Sequence, residues 1–157
     1  MKIVKESGFF MSYDLDRFLK AQNQNYEGYE TALSEIKSGF KRSHWIWYIF
    51  PQLKGLGRSG IAEQYGLDGI LEAKAYLANE TLCNRLVTIT LALLADNKSI
   101  VEILGHTDAM KVRSCMTLFE IASGDLDTPF RAVLDKFYNG KQDDLTLEII
   151  NKSSSEE

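Results

Sequence analysis

The stretch KRSHWIWYIFPQLKGLGRSG, Lys41 to Gly60, ends in Gly55-Leu56-Gly57-Arg58-Ser59-Gly60, the spacing of a dinucleotide-binding glycine fingerprint. That fingerprint works when a strand delivers the chain to a tight glycine turn whose backbone meets a pyrophosphate at the amino end of the next helix. IWYIF has the apolar, β-branched and aromatic make-up of such a strand, but Pro51 and the residues after it separate it from Gly55. The helix that follows has only about six residues before Gly66, and no second strand is available to build a parallel sheet. The context therefore rejects an α/β dinucleotide fold. The three glycines then serve as turn residues leading into a short helix, or, with Ser59 and Arg58 at that helix start, as a small anion site.

Outward from this segment the pattern is helical. Upstream, Asp14 caps LDRFLKAQ, with Leu15, Phe18 and Leu19 on one face, and a second helix runs from about Tyr26 to Ser38 before Gly39. Downstream, Ser59 opens IAEQY, Asp68 caps GILEAKAYLA, and Asn79 caps ETLCNRLVTITLALLAD. That last helix is apolar on nearly every side and is expected at the centre of the fold. Ser99 and Glu102 form a capping box for a short helix closed by Gly105, and Thr107 or Asp108 opens AMKVRSCMTLFEIAS. Thr128-Pro129 starts FRAVLDKFY, Asn139-Gly140 ends it, and LTLEII follows Asp144. The expected fold class is all-α: a single-domain orthogonal helical bundle with a buried central helix surrounded by shorter helices. Its bounds are 13–151, with an amino-terminal extension over 1–12 and a polar, disordered tail over 152–157.

A chain of 157 residues with 45% hydrophobic and 25% charged residues suits one globular core. A net charge of −4 argues against a broad duplex nucleic-acid footprint and leaves a small anionic ligand as the expected partner. Cys83 and Cys115 lie in apolar helical patterns without paired spacing, as buried thiols of a reducing compartment do, so no metal or cofactor is expected. MKIVKESGFFMSYD has no signal-peptide character and Leu86–Leu94 is too short for a bilayer span, so the expected location is cytoplasmic, with no membrane partner.

KRSHWIWYIFPQLKGLGRS, together with YDLDRFLKAQ, EAKAYL, KVRSCMTLF and YNGKQDDLTL in that order, resembles the bacterial family of domain of unknown function 1810, from about Tyr13 to Ile150. The resemblance implies an all-helical fold with one central helix and brings no established activity. The label calpastatin that its members often carry belongs to an inhibitor with disordered repeats, unlike this chain. Cys115 stands where the family usually has a second serine after Ser114, and NETLCNRL replaces a helix start containing His-Pro, which counts against a catalytic role for position 115.

The polar residues within these motifs define an expected cleft joining the His44–Ser59 loop, the Glu72 face and the Lys111–Thr117 helix. His44 is the candidate proton carrier. Trp45 and Trp47 cannot point the same way in helical backbone, so one of them is expected near the cleft. Arg58 and Ser59, with Lys111, Arg113, Ser114 and Thr117 on one helix, are the candidate ligand holders. The mix suits a small phosphorylated or nucleotide-like ligand. By loose similarity to the helical NAD- and ADP-ribose-associated N-glycosidases, Glu72 is the candidate acid/base, Lys111 and Arg113 hold phosphate, and a tryptophan stacks. The competing expectation is a nonenzymatic protein-interaction module docking through the aromatic segment.

Overall fold

The computed structural model describes residues 2–6 and 9–155, with side chains from 12 to 153. The chain opens with a hairpin, β1 (Lys2–Glu6) and β2 (Phe9–Tyr13), antiparallel with Lys2 opposite Tyr13 and Val4 opposite Met11. β-Branched and aromatic residues in KIVKE and FFMSY suit these strands. Within the amino-terminal extension expected over 1–12 the described residues form this two-stranded ribbon, and β1 lies near α5 (Ile70–Ala78).

Ten helices follow among the described residues: α1 (Asp16–Gln22), α2 (Tyr29–Ser38), α3 (Ile46–Ile49), α4 (Gly60–Tyr65), α5, α6 (Glu80–Leu94), α7 (Ile100–Leu104), α8 (His106–Ser123), α9 (Pro129–Phe137) and α10 (Asp144–Ser155). This is an all-α single domain. IWYIF, strand-like in composition, forms the short helix α3. α10 runs to Ser155, into the stretch 152–157 expected to be a polar, disordered tail.

Four helix starts follow their capping signals. Ser59 accepts from the Ala62 amide at 3.2 Å, Asn79 from Leu82 at 3.0 Å and Thr128 from Arg131 at 3.2 Å, while Ser99 and Glu102 cap reciprocally. Two starts differ. α1 begins after Leu15 with no side-chain cap, and α5 begins after Gly69, whose φ of 97° favours glycine. Asp68 does not cap α5; its own N–H donates to Glu72 Oε1 at 2.8 Å.

The buried centre is α8, and α6 is not that helix. α6 buries Leu82, Leu86, Ile89 and Leu93 and turns Asn84, Thr88 and Leu91 outward, with Leu91 51% exposed. α8 packs on α5, α7, α9 and α10, and every residue from Ser114 to Glu120 is buried. Its buried hydroxyls are satisfied within the helix, since Ser114 and Thr117 donate to the carbonyls of Met110 and Arg113 at 3.3 and 2.8 Å. Glu120 is met by Arg131 at 3.3 Å. Internal pairing lets a helix of mixed composition sit where an apolar one was expected. Around it, Tyr76 of α5 meets Phe119 at 5.3 Å and Phe18 of α1 at 5.2 Å between ring centres.

Candidate functional site

Thr107, Met110, Lys111 and Ser114 lie at helical i, i+3, i+4, i+7 spacing on one face of α8, and that face is one wall of a cleft of about 250 Å³. Trp47 of α3, with Gln52, Leu56 and Gly57 of the loop after it, forms the facing wall, and Asp143 and Leu145 at the start of α10 close one side.

Helical rotation through α3 parts the two tryptophans. Trp45 is fully buried and its indole N–H donates to Glu35 Oε1 at 2.9 Å. Trp47 turns to the cleft and rests on Gly57, where a Cβ would come within 2.6 Å of its ring. The second fingerprint glycine therefore exists to seat an indole. Gly55, with φ of 96°, makes the turn, and Gly60 opens α4 in empty space.

Gln52 is 2% exposed, and its backbone carbonyl is fixed by the Leu67 amide at 2.8 Å. Among the described residues no group accepts a hydrogen bond from its buried side-chain Nε2, and the residue lines the cleft. The Lys111 ammonium lies 4.8 Å from the Trp47 ring centre and 3.2 Å from Asp108 Oδ1. Asp108 also holds Lys41 at 2.8 Å, and Lys41 in turn lies 4.9 Å from the Trp45 ring centre.

Asp143 is positioned from beneath. Thr117, fully buried, accepts the Asp143 N–H at 2.9 Å, and Asp143 Oδ2 accepts from the Thr146 amide and hydroxyl at 3.0 and 2.6 Å. Arg113 approaches Asp143 Oδ1 at 3.8 Å.

Behind the aromatic wall, Glu35 accepts from the Arg42 and Ser43 amides at 2.8 and 3.0 Å, from the Ser43 hydroxyl at 2.6 Å and from Trp45. Burial alone would raise its pKa, but these donors to the charged form hold it down, from the ordinary 4.5 to about 2. Burial pushes the Tyr48 phenol up to about 12 and the Cys115 thiol well above its usual range.

Of the residues anticipated for the site, Trp47, Lys111 and Ser114 line the cleft, and Thr117 supports it from below. Arg113 borders a second cavity. The others lie elsewhere. Trp45 is in the core. The His44 side chain is 91% exposed, with Nδ1 3.6 Å from Glu27 Oε1. Arg58 and Ser59 are exposed, and Ser59 spends its hydroxyl on the α4 cap. Glu72 is 3% exposed with Oε2 on Arg17 at 2.9 Å and Oε1 on the Asp68 amide, so it ties α5 to α1 away from the cleft lining. The expected meeting of three segments is a meeting of two, with the α10 start in the third place. Gln52 went unrecognised in the sequence; its signal is one amide set inside the apolar run IFPQL.

Among the described residues no group of three His, Cys, Asp or Glu is placed to hold a metal ion, and no helix is long and apolar enough to cross a membrane.

A family model described as protein of unknown function (DUF1810) matches residues 12–150. The structure is similar to that of the conserved hypothetical protein Rv1873 from Mycobacterium tuberculosis, with 39% sequence identity, 88% of this chain and 97% of that one covered, and a TM-score of 0.83. A comparison with curated proteins returns no match.

Proposed function

The chain belongs to the DUF1810 family of proteins of unknown function, and from that premise we propose that its cleft binds a small phosphorylated or nucleotide-like ligand. The observation that carries the reading is Gln52. A buried amide N–H without an acceptor costs about 1–3 kcal/mol, and a ligand oxygen or ring nitrogen entering the cleft supplies the missing partner. The walls suit the rest of such a molecule. The Trp47 indole, Leu56 and Met110 offer apolar surface to a ring, and Lys111 offers a cation on a flexible stem to an anionic group.

The reading is one of binding. Glu72, the anticipated acid/base, is engaged by Arg17 outside the cleft, and Asp143, the carboxylate that does line it, has Oδ2 committed to Thr146. One observation favours the alternative of a protein-docking surface: Met110 and Leu145 are 46% and 59% exposed at the rim, giving the opening an apolar lip.

Thermal unfolding with AMP, ADP-ribose, ribose 5-phosphate and inorganic phosphate tests the proposal. A ligand that binds only the folded chain raises Tm with concentration, by the equivalent of about 2.7 kcal/mol at a hundredfold excess over Kd. The expected result is a rise with at least one organic phosphate that is abolished in Lys111→Met and weakened in Gln52→Leu. No rise with any of the four, or the same rise in both variants, sinks the proposal.

A further inference from the structure

A second cavity, of about 230 Å³, lies on the other flank of Met110, between α7, the first two turns of α8 and the end of α9. Its walls are mostly apolar, with Val101, Met110 and Phe137 among them, and its polar groups are His106, Arg113 and Tyr138. The Tyr138 hydroxyl is already committed to the Ala109 carbonyl. What remains facing an apolar space is one guanidinium and one imidazole.

The guanidinium lacks a full counter-charge. Among the described residues no side chain or carbonyl accepts a hydrogen bond from Arg113, and its Nε is sealed from solvent without a partner. Asp143 Oδ1 stands 3.8 Å from Nη2, beyond hydrogen-bonding distance, and the other oxygen of that carboxylate is held by Thr146. The neighbouring cation is treated differently, since Asp108 lies at 3.2 Å from Lys111. The Nε–H is buried without an acceptor, and an entering carboxylate satisfies it together with one Nη–H in a planar fork. The α8 amino end opens at the same place, where Gly105 provides no side-chain cap and leaves unpaired amides turned toward negative charge.

We infer that this cavity is a binding site for a small monocarboxylate carried on an aromatic or branched apolar body. The carboxylate pairs with Arg113, and the body fills the space between Val101, Met110 and Phe137. A bare inorganic anion gains the charge contact but leaves the apolar walls empty, and a neutral apolar molecule leaves the guanidinium unpaired. The site shares Met110 as a wall with the Gln52 cleft but has its own charged group in Arg113, and it does not depend on what binds in that cleft.

Titration of the full chain with phenylacetate, followed by calorimetry and by amide chemical shifts at Val101 and His106, tests the inference. Saturable binding is expected, weakened about tenfold or more in Arg113→Met, as loss of a bidentate charged pair implies, and unchanged in Lys111→Met. Val101→Glu supplies an independent arm: the residue is 48% exposed, so the fold tolerates the change, while the new charge repels the ligand. Phenylacetate binding no tighter than inorganic phosphate overturns the assignment of ligand class. Absence of saturable binding, or equal affinity in wild type and both cavity variants, overturns the site.

Discussion

Glu35 shows how much one side chain carries. Four donors converge on a carboxylate that is 4% exposed, joining α2 to the Arg42–Trp45 segment that leads into the cleft wall. Because its pKa is lower in the folded chain than in the unfolded one, its contribution is complete above about pH 5 and is lost as pH falls from there towards 2. Glu35→Gln is expected to lower stability at pH 7 by about 2 kcal/mol and to flatten the decline in denaturation midpoint between pH 5 and pH 3. An unchanged acid limb in the variant would refute this. Nothing in the sequence marks Glu35, since an acid beside Ile36 in an amphipathic helix looks like any solvated carboxylate; its partners lie in the loop after Gly39 and could be known only from the fold.

The fingerprint glycines also separate at this scale. A methyl group at Gly57 would meet Trp47 and Ala62 at 2.6 and 2.8 Å, so Gly57→Ala is expected to cost about 1–3 kcal/mol and to displace the indole from the cleft. Gly60→Ala meets nothing within 4 Å at the first position of α4 and is expected to leave the melting temperature within error or to raise it. Urea melts of the two variants distinguish them.

At the scale of elements, α8 and α10 are joined by one buried hydroxyl. Thr117 Oγ1 donates into its own helix and accepts the Asp143 N–H, which sets the height at which α10 starts. Thr117→Val leaves that N–H without an acceptor and is expected to cost about 1–3 kcal/mol, whereas Thr117→Ser keeps most of the stability. Faster hydrogen exchange confined to the start of α10 in the valine variant is the accompanying sign. Helix starts were legible wherever a short polar side chain could reach its own N-terminal amides, as at Ser59, Asn79, Ser99 and Thr128. They were misread at Asp14 and Asp68, where Arg17 binds the Asp14 carbonyl and Glu72 the Asp68 amide. Identifying the central helix from apolarity failed for a related reason. Hydrophobic periodicity measures what a helix would prefer to bury and is blind to polar groups that neighbours or the helix itself will satisfy.

For the whole molecule, helical class and family were both readable, because periodicity and caps are local and the motifs are long. The cleft was readable only in part. Its walls come from Trp47–Gly57, Thr107–Ser114 and Asp143–Leu145, segments brought together by packing rather than by spacing. Packing also governs the thiols. Cys115 is fully buried with its pKa raised by burial, and Cys83 is half-buried on α6 with its pKa also raised by burial. In the native state a thiol reagent is expected to modify Cys83 and spare Cys115, both reacting once the chain is unfolded. Equal labelling of the two in native conditions, read by mass spectrometry, would count against the fold.

The parting of the two tryptophans has an optical consequence. With two indoles in the chain, one sealed and hydrogen-bonded to a carboxylate and one half-open beneath an ammonium, intrinsic fluorescence divides into a component screened from solute and a component at the cleft. Acrylamide should therefore quench only part of the emission. The cleft carries its own optical reporter in Trp47, and Trp45 supplies the constant background against which it is read.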